Sequence, residues 1–123
     1  MDFDALSNNV IGCALEVHKQ LGPGMLESAY EQCLAHDFTL NRIIFKRPVA
    51  LPVKYKGVNL DCGYRLDFLV EDELVVELKA VEAILPIHKA QMLSHLKITG
   101  LSVGLLINFN VILLKEGITR MVL

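Results

Sequence analysis

Apolar and polar residues alternate along two neighbouring segments of the sequence, YRLDFLV and LVVELKA, which are separated by Glu71-Asp72-Glu73. A period of two is typical of β-strands, because successive side chains point to opposite faces of a sheet. We therefore predict that Leu66, Phe68 and Val70 share one face. In an antiparallel hairpin centred on Asp72, the apolar side chains of both strands come together. A shift of one residue would destroy this match, so the pattern predicts a single register.

The same register places two acidic residues opposite each other on the other face. Asp67 faces Glu77, and directly opposed side chains have Cβ atoms about 5 Å apart. Two carboxylates this close repel each other unless one is protonated or a cation lies between them. Hard divalent ions such as Mg²⁺ or Mn²⁺ favour Asp and Glu oxygens with open water positions. The hairpin therefore predicts a candidate metal site.

Lys79 follows Glu77 by two residues and is expected to extend from the same face. A metal and an ammonium group at one site can activate a water molecule and stabilise charge on an attacked phosphate. The alternative is a surface charge cluster, in which Arg65 and Lys79 pair with Asp67 and Glu77. The geometry of the hairpin leaves both interpretations open.

Two helices are predicted before these strands, from about Leu6 to Leu21 and from about Leu26 to Leu40. The segment LGPG separates them, because Gly favours a helix C-terminus and Pro cannot continue the helical hydrogen bonds. Glu27 lies in the first turn of the second helix, three residues before Tyr30, and this spacing directs it toward the core. Glu27 could supply a third carboxylate to the cation, or could simply favour the helix dipole.

The rest of the sequence predicts one α+β or three-layer α/β domain over residues 1–123. The segment from Val49 to Tyr55 alternates like a strand, and its prolines favour a sheet edge. A helix is expected from Pro86 to Gly100, followed by SVGLLINF as a strand buried on both faces. The tail VILLKEGITRMVL is expected to form a short hairpin through Gly117.

Three polar residues, His88, Gln91 and His95, recur at helical spacing after Pro86. His88 and His95 are two turns apart, about 10 Å by helix rise, which is too far for both to bind one metal directly. We expect Gln91 and His95 to orient water or phosphate beside the site. The alternative is a polar helix face that points to solvent.

The charge is unevenly distributed, although the net charge is only −2. From Phe38 to Leu60 there is no acidic residue, and the basic residues there are Arg42, Lys46, Arg47, Lys54 and Lys56. Such a strip can contact phosphates, or it can solubilise an edge strand. We expect Lys54, Lys56, Arg65 and His95 to contact nucleic acid.

The composition excludes several classes of protein. No apolar run approaches the roughly 18 residues of a membrane span. The N-terminal segment lacks the pattern of a signal peptide, and the three cysteines have no CxxC spacing, so we expect a cytoplasmic protein. The hydrophobic fraction of 53% indicates a well-filled core or an apolar surface covered by a second subunit, and a homo-oligomer is expected.

Several segments resemble a known family. Gly24, Glu27 and Tyr30 spell the pattern that gives the GxxExxY family its name, and HKQLGPGMLESAYE, ELKAV and GLLINFN are similar to its habitual segments. That family is placed in the PD-(D/E)xK nuclease superfamily, whose signature would be Asp67 followed by Glu77-Leu78-Lys79. The resemblance implies a restriction-endonuclease-like core, with a mixed central sheet flanked by helices, and divalent-metal-dependent cleavage of DNA.

The resemblance also implies roles for individual residues. Asp67, Glu77 and Glu27 would be metal ligands, and Lys79 would position water or stabilise charge. Gln91 matches the glutamine of a QxxxY motif found in related members, with His95 in place of the tyrosine. Two other hypotheses remain: a catalytically silent nucleic-acid-binding or assembly module on the same fold, and an oligomeric structural protein.

Overall fold

A mixed five-stranded sheet forms the centre of the protein, seen in a computed structural model that describes residues 3–123. Its strand order is β1-β4-β5-β6-β7, with β5 and β6 parallel and the other pairs antiparallel. Strands β2 and β3 form a separate antiparallel hairpin. In chain order the strands are β1 (Phe45–Lys46), β2 (Val49–Tyr55), β3 (Val58–Leu66), β4 (Phe68–Val70), β5 (Leu74–Lys79), β6 (Val103–Asn108) and β7 (Ile118–Val122).

Three α-helices flank the sheet within the described residues: α1 (Ala5–Leu21), α2 (Glu27–Leu40) and α3 (Pro86–Thr99). Their bounds confirm the predicted helices to within one residue. The side chain of Asp4 caps α1 by accepting a hydrogen bond from the Ser7 amide at 2.8 Å. In residues 3–123 there is no helix of the length and apolar character that crossing a membrane requires.

The two faces of the sheet are covered by different elements. Helices α1 and α2 pack on one face, where Phe68, Val76 and Leu78 are buried. Helix α3 and the base of the β2–β3 hairpin pack on the other, where Val75 and Leu106 are buried. The alternation of Val75 and Val76 between the two clusters follows from the period of two along β5. Strand β6 is buried on both faces, as predicted.

The register predicted for the β4–β5 hairpin is confirmed where the strands pair. Phe68 lies opposite Val76, and Val70 lies opposite Leu74. The prediction that Leu66 shares a face with Phe68 is wrong. Leu66 belongs to β3, lies opposite Val49 and packs in the cluster beneath α3. The chain bends at Asp67, where it leaves the small hairpin and enters the central sheet.

The prediction of a hairpin within the C-terminal tail is also wrong. Strand β7 pairs antiparallel with β6, so that Ile118 lies opposite Ile107. A 3₁₀-helix, Leu114–Gly117, forms part of the connection between them. Strand β7 thus forms the edge of the central sheet next to β6, and no hairpin forms within residues 111–123.

Tyr30 closes the loop between α1 and α2. Its hydroxyl donates to the carbonyl of Gly22 at 2.5 Å and accepts from the amide of Met25 at 3.1 Å. Its ring is fully buried and stacks on Phe109, with centroids 4.6 Å apart. Because Gly22 and Gly24 adopt positive φ values of 68° and 93°, the loop turns sharply into α2. Tyr30 therefore fixes where α2 begins.

We predict that Tyr30→Phe lowers the free energy of unfolding by about 1–3 kcal/mol, because two polar backbone groups lose their partner. Urea denaturation followed by circular dichroism measures this change. The matched control is Tyr55→Phe, which removes the hydroxyl of an exposed tyrosine and should change stability by less than about 0.5 kcal/mol. Equal stability of Tyr30→Phe and wild type would contradict this role for the hydroxyl.

Candidate active site

Asp67 lies at the bend between the two sheets and is tied to β5. Its Oδ2 accepts a hydrogen bond from the backbone amide of Leu78 at 2.7 Å. Leu78 lies between Glu77 and Lys79, the two other predicted residues of this strand. The carboxylate of Asp67 is therefore held beside them, although the bend takes Asp67 itself out of the strand ladder.

The electrostatics show that several acids converge on Asp67. The pKa of Asp67 is raised to about 6, chiefly by burial and to a smaller extent by the charges of Glu31, Glu77 and Glu27, against the lowering effect of the Leu78 amide. The acids predicted at this site are thus brought into one electrostatic neighbourhood. They come from the start of α2, the bend and the centre of β5.

Glu27 lies at the first position of α2, with Lys79 as its cationic neighbour. Burial raises the pKa of Glu27, the Lys79 ammonium opposes this, and the charge of Glu31 adds to it. The half-buried position of Glu27 agrees with its predicted direction toward the core. The Glu27 carboxylate therefore has a nearby positive charge, Lys79, as well as the favourable end of the helix dipole.

Glu31 is an acid at this site that the sequence analysis missed. Its Oε1 lies 3.6 Å from Nη1 of Arg47, which places a cation next to the acidic group. Glu31 follows Glu27 by four residues, one helical turn, so the two share a face of α2. That spacing was the available signal, because any face of α2 that presents Glu27 must also present Glu31.

Glu77 is engaged by a histidine of α3. His95 Nδ1 and Glu77 Oε1 are 2.5 Å apart, and the side chains are only 12% and 10% exposed. His95 was predicted to contact nucleic acid or water, and the structure shows that one of its ring nitrogens contacts Glu77. The ring of Tyr64 lies edge-on to His95, with centroids 6.3 Å apart.

The other two predicted polar residues of α3, Gln91 and His88, lie at its exposed surface and in its first turn. Gln91 is exposed and lines a groove together with His95 and Tyr64. His88 accepts a hydrogen bond at Nδ1 from the Leu85 amide at 3.0 Å, and so caps the start of α3. His88 therefore has a structural contact at the helix N-terminus.

The predicted basic residues Lys54, Lys56 and Arg65 are exposed on the β2–β3 hairpin. Lys56 and Gly57 form its turn, with φ values of 48° and 82°. Arg65 lies 3.6 Å from Asp61, an ion pair within β3. The surface cluster in which Arg65 pairs with Asp67 and Glu77 is therefore not what forms, and Glu77 is buried rather than at the surface.

The donor set suits a divalent cation in its chemistry. Within residues 3–123, no group of three or more His, Cys, Asp or Glu side chains lies close enough together to hold a metal ion. The carboxylates of Asp67, Glu77 and Glu27 are nevertheless the hard oxygen donors that Mg²⁺ and Mn²⁺ prefer. Burial first, and then the neighbouring acids, raise the pKa of Asp67, and a bound cation would stabilise its ionised form against both.

A mixed sheet with helices on both faces, carrying an Asp at a bend and a Glu-x-Lys on the next strand, defines a restriction-endonuclease-like fold. The family model of the PD-(D/E)XK nuclease superfamily matches residues 4–121, and the chain belongs to this superfamily. Such nucleases act on nucleic acids and generally depend on divalent metals. Neither a curated protein nor a solved structure matches the chain.

The raised pKa of Asp67 predicts how stability depends on pH. The pKa rises from 3.8 to about 6 on folding, so between these values the native state holds a proton that the unfolded state releases. The ionisation of Asp67 therefore destabilises the fold progressively as pH rises through this window. The free energy of unfolding is lowered by the full amount above about pH 6 and is not lowered below about pH 4.

We predict that Asp67→Asn raises the free energy of unfolding by about 2 kcal/mol near pH 8 and has little effect near pH 4. Urea denaturation in EDTA at both pH values measures the difference from wild type. The control is Glu73→Gln, which neutralises an exposed acid of the β4–β5 turn and should show no such contrast. If Asp67→Asn and wild type differ in the free energy of unfolding by the same amount at both pH values, the pKa of Asp67 is not raised.

Proposed function

We propose that this protein is a Mg²⁺- or Mn²⁺-dependent nuclease that hydrolyses phosphodiester bonds of DNA. The observation that supports this most is that Glu27, Glu31 and Glu77 all lie near enough to the partly buried Asp67 carboxylate to add to the rise that burial causes in its pKa. Acidic side chains placed this close together destabilise a fold unless they bind a cation. Membership of the nuclease superfamily supplies the class of reaction.

Asp67, Glu77 and Glu27 would hold the cation. When bound, it would lower the pKa of a water molecule and neutralise phosphate charge. Lys79 would stabilise the negative charge that develops on the attacked phosphate, since it ends β5 and its ammonium is near enough to Glu27 to oppose the rise in that residue's pKa. Gln91 would orient the substrate from the exposed surface of α3.

His95 would act as a positioning residue through Glu77. Its Nδ1 contacts one oxygen of that carboxylate at 2.5 Å. Contacts of this kind, just outside the ligands, orient a metal-binding carboxylate and tune its affinity. His95 would thus restrict the rotation of Glu77 and leave its second oxygen for the cation.

The β2–β3 hairpin would contact the phosphates. Lys54 lies opposite Asn59, and Arg65 lies opposite Ala50, on the face of the hairpin that alternates with buried Leu51. These cations therefore extend away from α3, toward solvent. Each phosphate contact would make binding weaker at higher salt.

We predict that the wild-type protein nicks or degrades DNA with Mg²⁺ or Mn²⁺ and not with EDTA. Asp67→Ala should reduce cleavage to the level seen without protein, and Lys79→Ala should lower the rate at least about 100-fold, because a charge-stabilising donor is lost. Gel analysis of labelled oligonucleotides measures the rates. Glu116→Ala, which removes an exposed acid of the 3₁₀-helix, should cleave like wild type.

Circular dichroism must show that both inactive variants remain folded. Cleavage that persists in Asp67→Ala and Lys79→Ala would identify a contaminant and contradict the proposal.

We predict that His95→Ala weakens Mn²⁺ binding about 10- to 100-fold, because Glu77 loses its positioning contact. Isothermal titration calorimetry without substrate measures the affinity. His95→Gln retains a side-chain donor and should recover part of the loss, whereas His95→Leu fills a similar volume without a donor and should not. Unchanged Mn²⁺ affinity in His95→Ala would refute the role of this contact.

A second candidate function is a catalytically silent nucleic-acid-binding or assembly module. Two observations favour it: the described residues contain no preformed three-ligand cluster, and Glu77 is already engaged by His95. It would bind nucleic acid in a salt-sensitive way, less tightly after Lys54→Ala and Lys56→Ala, and cleave with no metal. Cleavage by wild type that Asp67→Ala abolishes would exclude this alternative.

We also propose that residues 1–123 act as one nuclease domain that forms a homo-oligomer. Exposed large apolar side chains support the second part, including Leu26 on α2's N-terminal side and Ile112 after β6. Light scattering of the purified protein tests it, and a monomer at all concentrations would refute it.

A further inference from the structure

A groove runs between the β2–β3 hairpin and α3, beside the acidic site. Val53 and Tyr64 line it from the hairpin, and Ile87, Gln91 and His95 line it from the helix. Its volume is about 400 Å³, within the usual range for a small-ligand pocket. Among residues 3–123, no acidic side chain lines it, in contrast to the carboxylates next to it.

The orientation of Tyr64 toward this groove follows from the register of the hairpin. Tyr64 lies opposite Leu51, which is buried in the cluster beneath α3. Side chains of directly opposed residues share a face, so Tyr64 extends toward α3. Tyr64 nevertheless remains 52% exposed, because α3 covers only the base of the hairpin. An aromatic ring is thus presented to solvent at the wall of the groove.

The groove is continuous with the acidic site through His95. The His95 ring lies edge-on to Tyr64 on one side, while its Nδ1 contacts Glu77 on the other. A molecule in the groove would therefore lie within one side chain of the proposed cation ligands. This is where the nucleotide next to a cleaved phosphate would have to lie.

The charge of the hairpin indicates which kind of molecule would occupy the groove. Residues 49–66 contain three basic side chains, Lys54, Lys56 and Arg65, and one acidic side chain, Asp61, although the whole chain is net negative. The groove has an aromatic wall and neutral polar groups, and the other face of the same hairpin carries Lys54 and Arg65, which matches a nucleobase on a polyanionic strand. A base within a duplex is stacked on its neighbours and cannot enter such a groove.

We propose that this groove binds one unpaired nucleobase of the substrate strand, stacked on Tyr64, so that the protein acts on single-stranded or frayed nucleic acid. The inference rests on the proposed function, because it places the base beside the phosphate that the acids would process. Tyr64 supplies the π-face, while Gln91 and Ser94 offer amide and hydroxyl groups to the base edge.

Fluorescence anisotropy in EDTA tests the proposal with three labelled probes of equal length: oligo(dT), its blunt duplex with oligo(dA), and an abasic strand. Wild type should bind oligo(dT) more tightly than either other probe. Tyr64→Ala should weaken binding of oligo(dT) about 5- to 150-fold, the range for loss of one base–aromatic stack, and leave the abasic strand unaffected. Tyr64→Phe should bind like wild type, since the ring is retained.

Two further variants separate the groove from its surroundings. Tyr55→Ala removes a tyrosine of similar exposure from the same hairpin, outside the groove, and should bind oligo(dT) like wild type. Ile87→Glu places a negative charge on the opposite wall and should weaken binding, even if Tyr64→Ala fails to fold. Thermal melting monitored by circular dichroism confirms which variants are folded.

Several results would overturn the inference. These are equal binding of oligo(dT) and the abasic strand, no retention of any probe, equal losses in Tyr64→Ala and Tyr55→Ala, or a dimer that Tyr64→Ala dissociates. The last result would assign the groove to a second copy of the chain.

The inference and the proposed function fail separately. Tyr64-dependent binding without cleavage under any metal would uphold the groove and refute the nuclease. Metal-dependent cleavage that is insensitive to Tyr64→Ala and equally fast on duplex would uphold the nuclease and refute the groove.

Discussion

The bend at Asp67, held by the hydrogen bond from the Leu78 amide, joins the two sheets of the protein. On one side of it Leu66 packs beneath α3, and on the other Phe68 packs beneath α1 and α2. A regular strand would have kept both residues on one face. Because of the bend, one chain segment packs into both hydrophobic clusters, and the Asp67 carboxylate is turned toward β5. The position of the acidic site depends on this local break in the sheet.

The candidate site combines several carboxylates, which destabilise the fold, with neighbouring groups that reduce this destabilisation. Asp67 is partly buried near three other acids, Glu27, Glu31 and Glu77, and its pKa is raised chiefly by burial and further by their charges. Each of the other three has a basic or polarisable neighbour: Lys79 beside Glu27, Arg47 beside Glu31, and His95 beside Glu77. Within the described part of the chain, the hydrogen-bond partner of Asp67 is a backbone amide, so its carboxylate has most to gain from a bound cation.

The β2–β3 hairpin gives the site its surroundings. Its base is buried by Leu51 and Leu66, while the rest of the hairpin is exposed. Because side chains alternate along each strand, Leu51 and Tyr64 face α3, whereas Lys54 and Arg65 face the opposite way. The proposed wall for a base and the proposed phosphate contacts thus lie on opposite faces of one hairpin.

The sequence by itself determined the features that depend on neighbours along the chain. The helix bounds, the pairing of Phe68 with Val76 and the shared neighbourhood of Asp67 and Glu77 follow from local periodicity. Only the tertiary structure decided the contact of His95 with Glu77, the approach of Glu31 to Asp67, the switch of Leu66 to the other face, and the pairing of β7 with β6. Those contacts join distant segments, and they are set by how the helices and the hairpin pack on the sheet, which no local pattern of residues encodes.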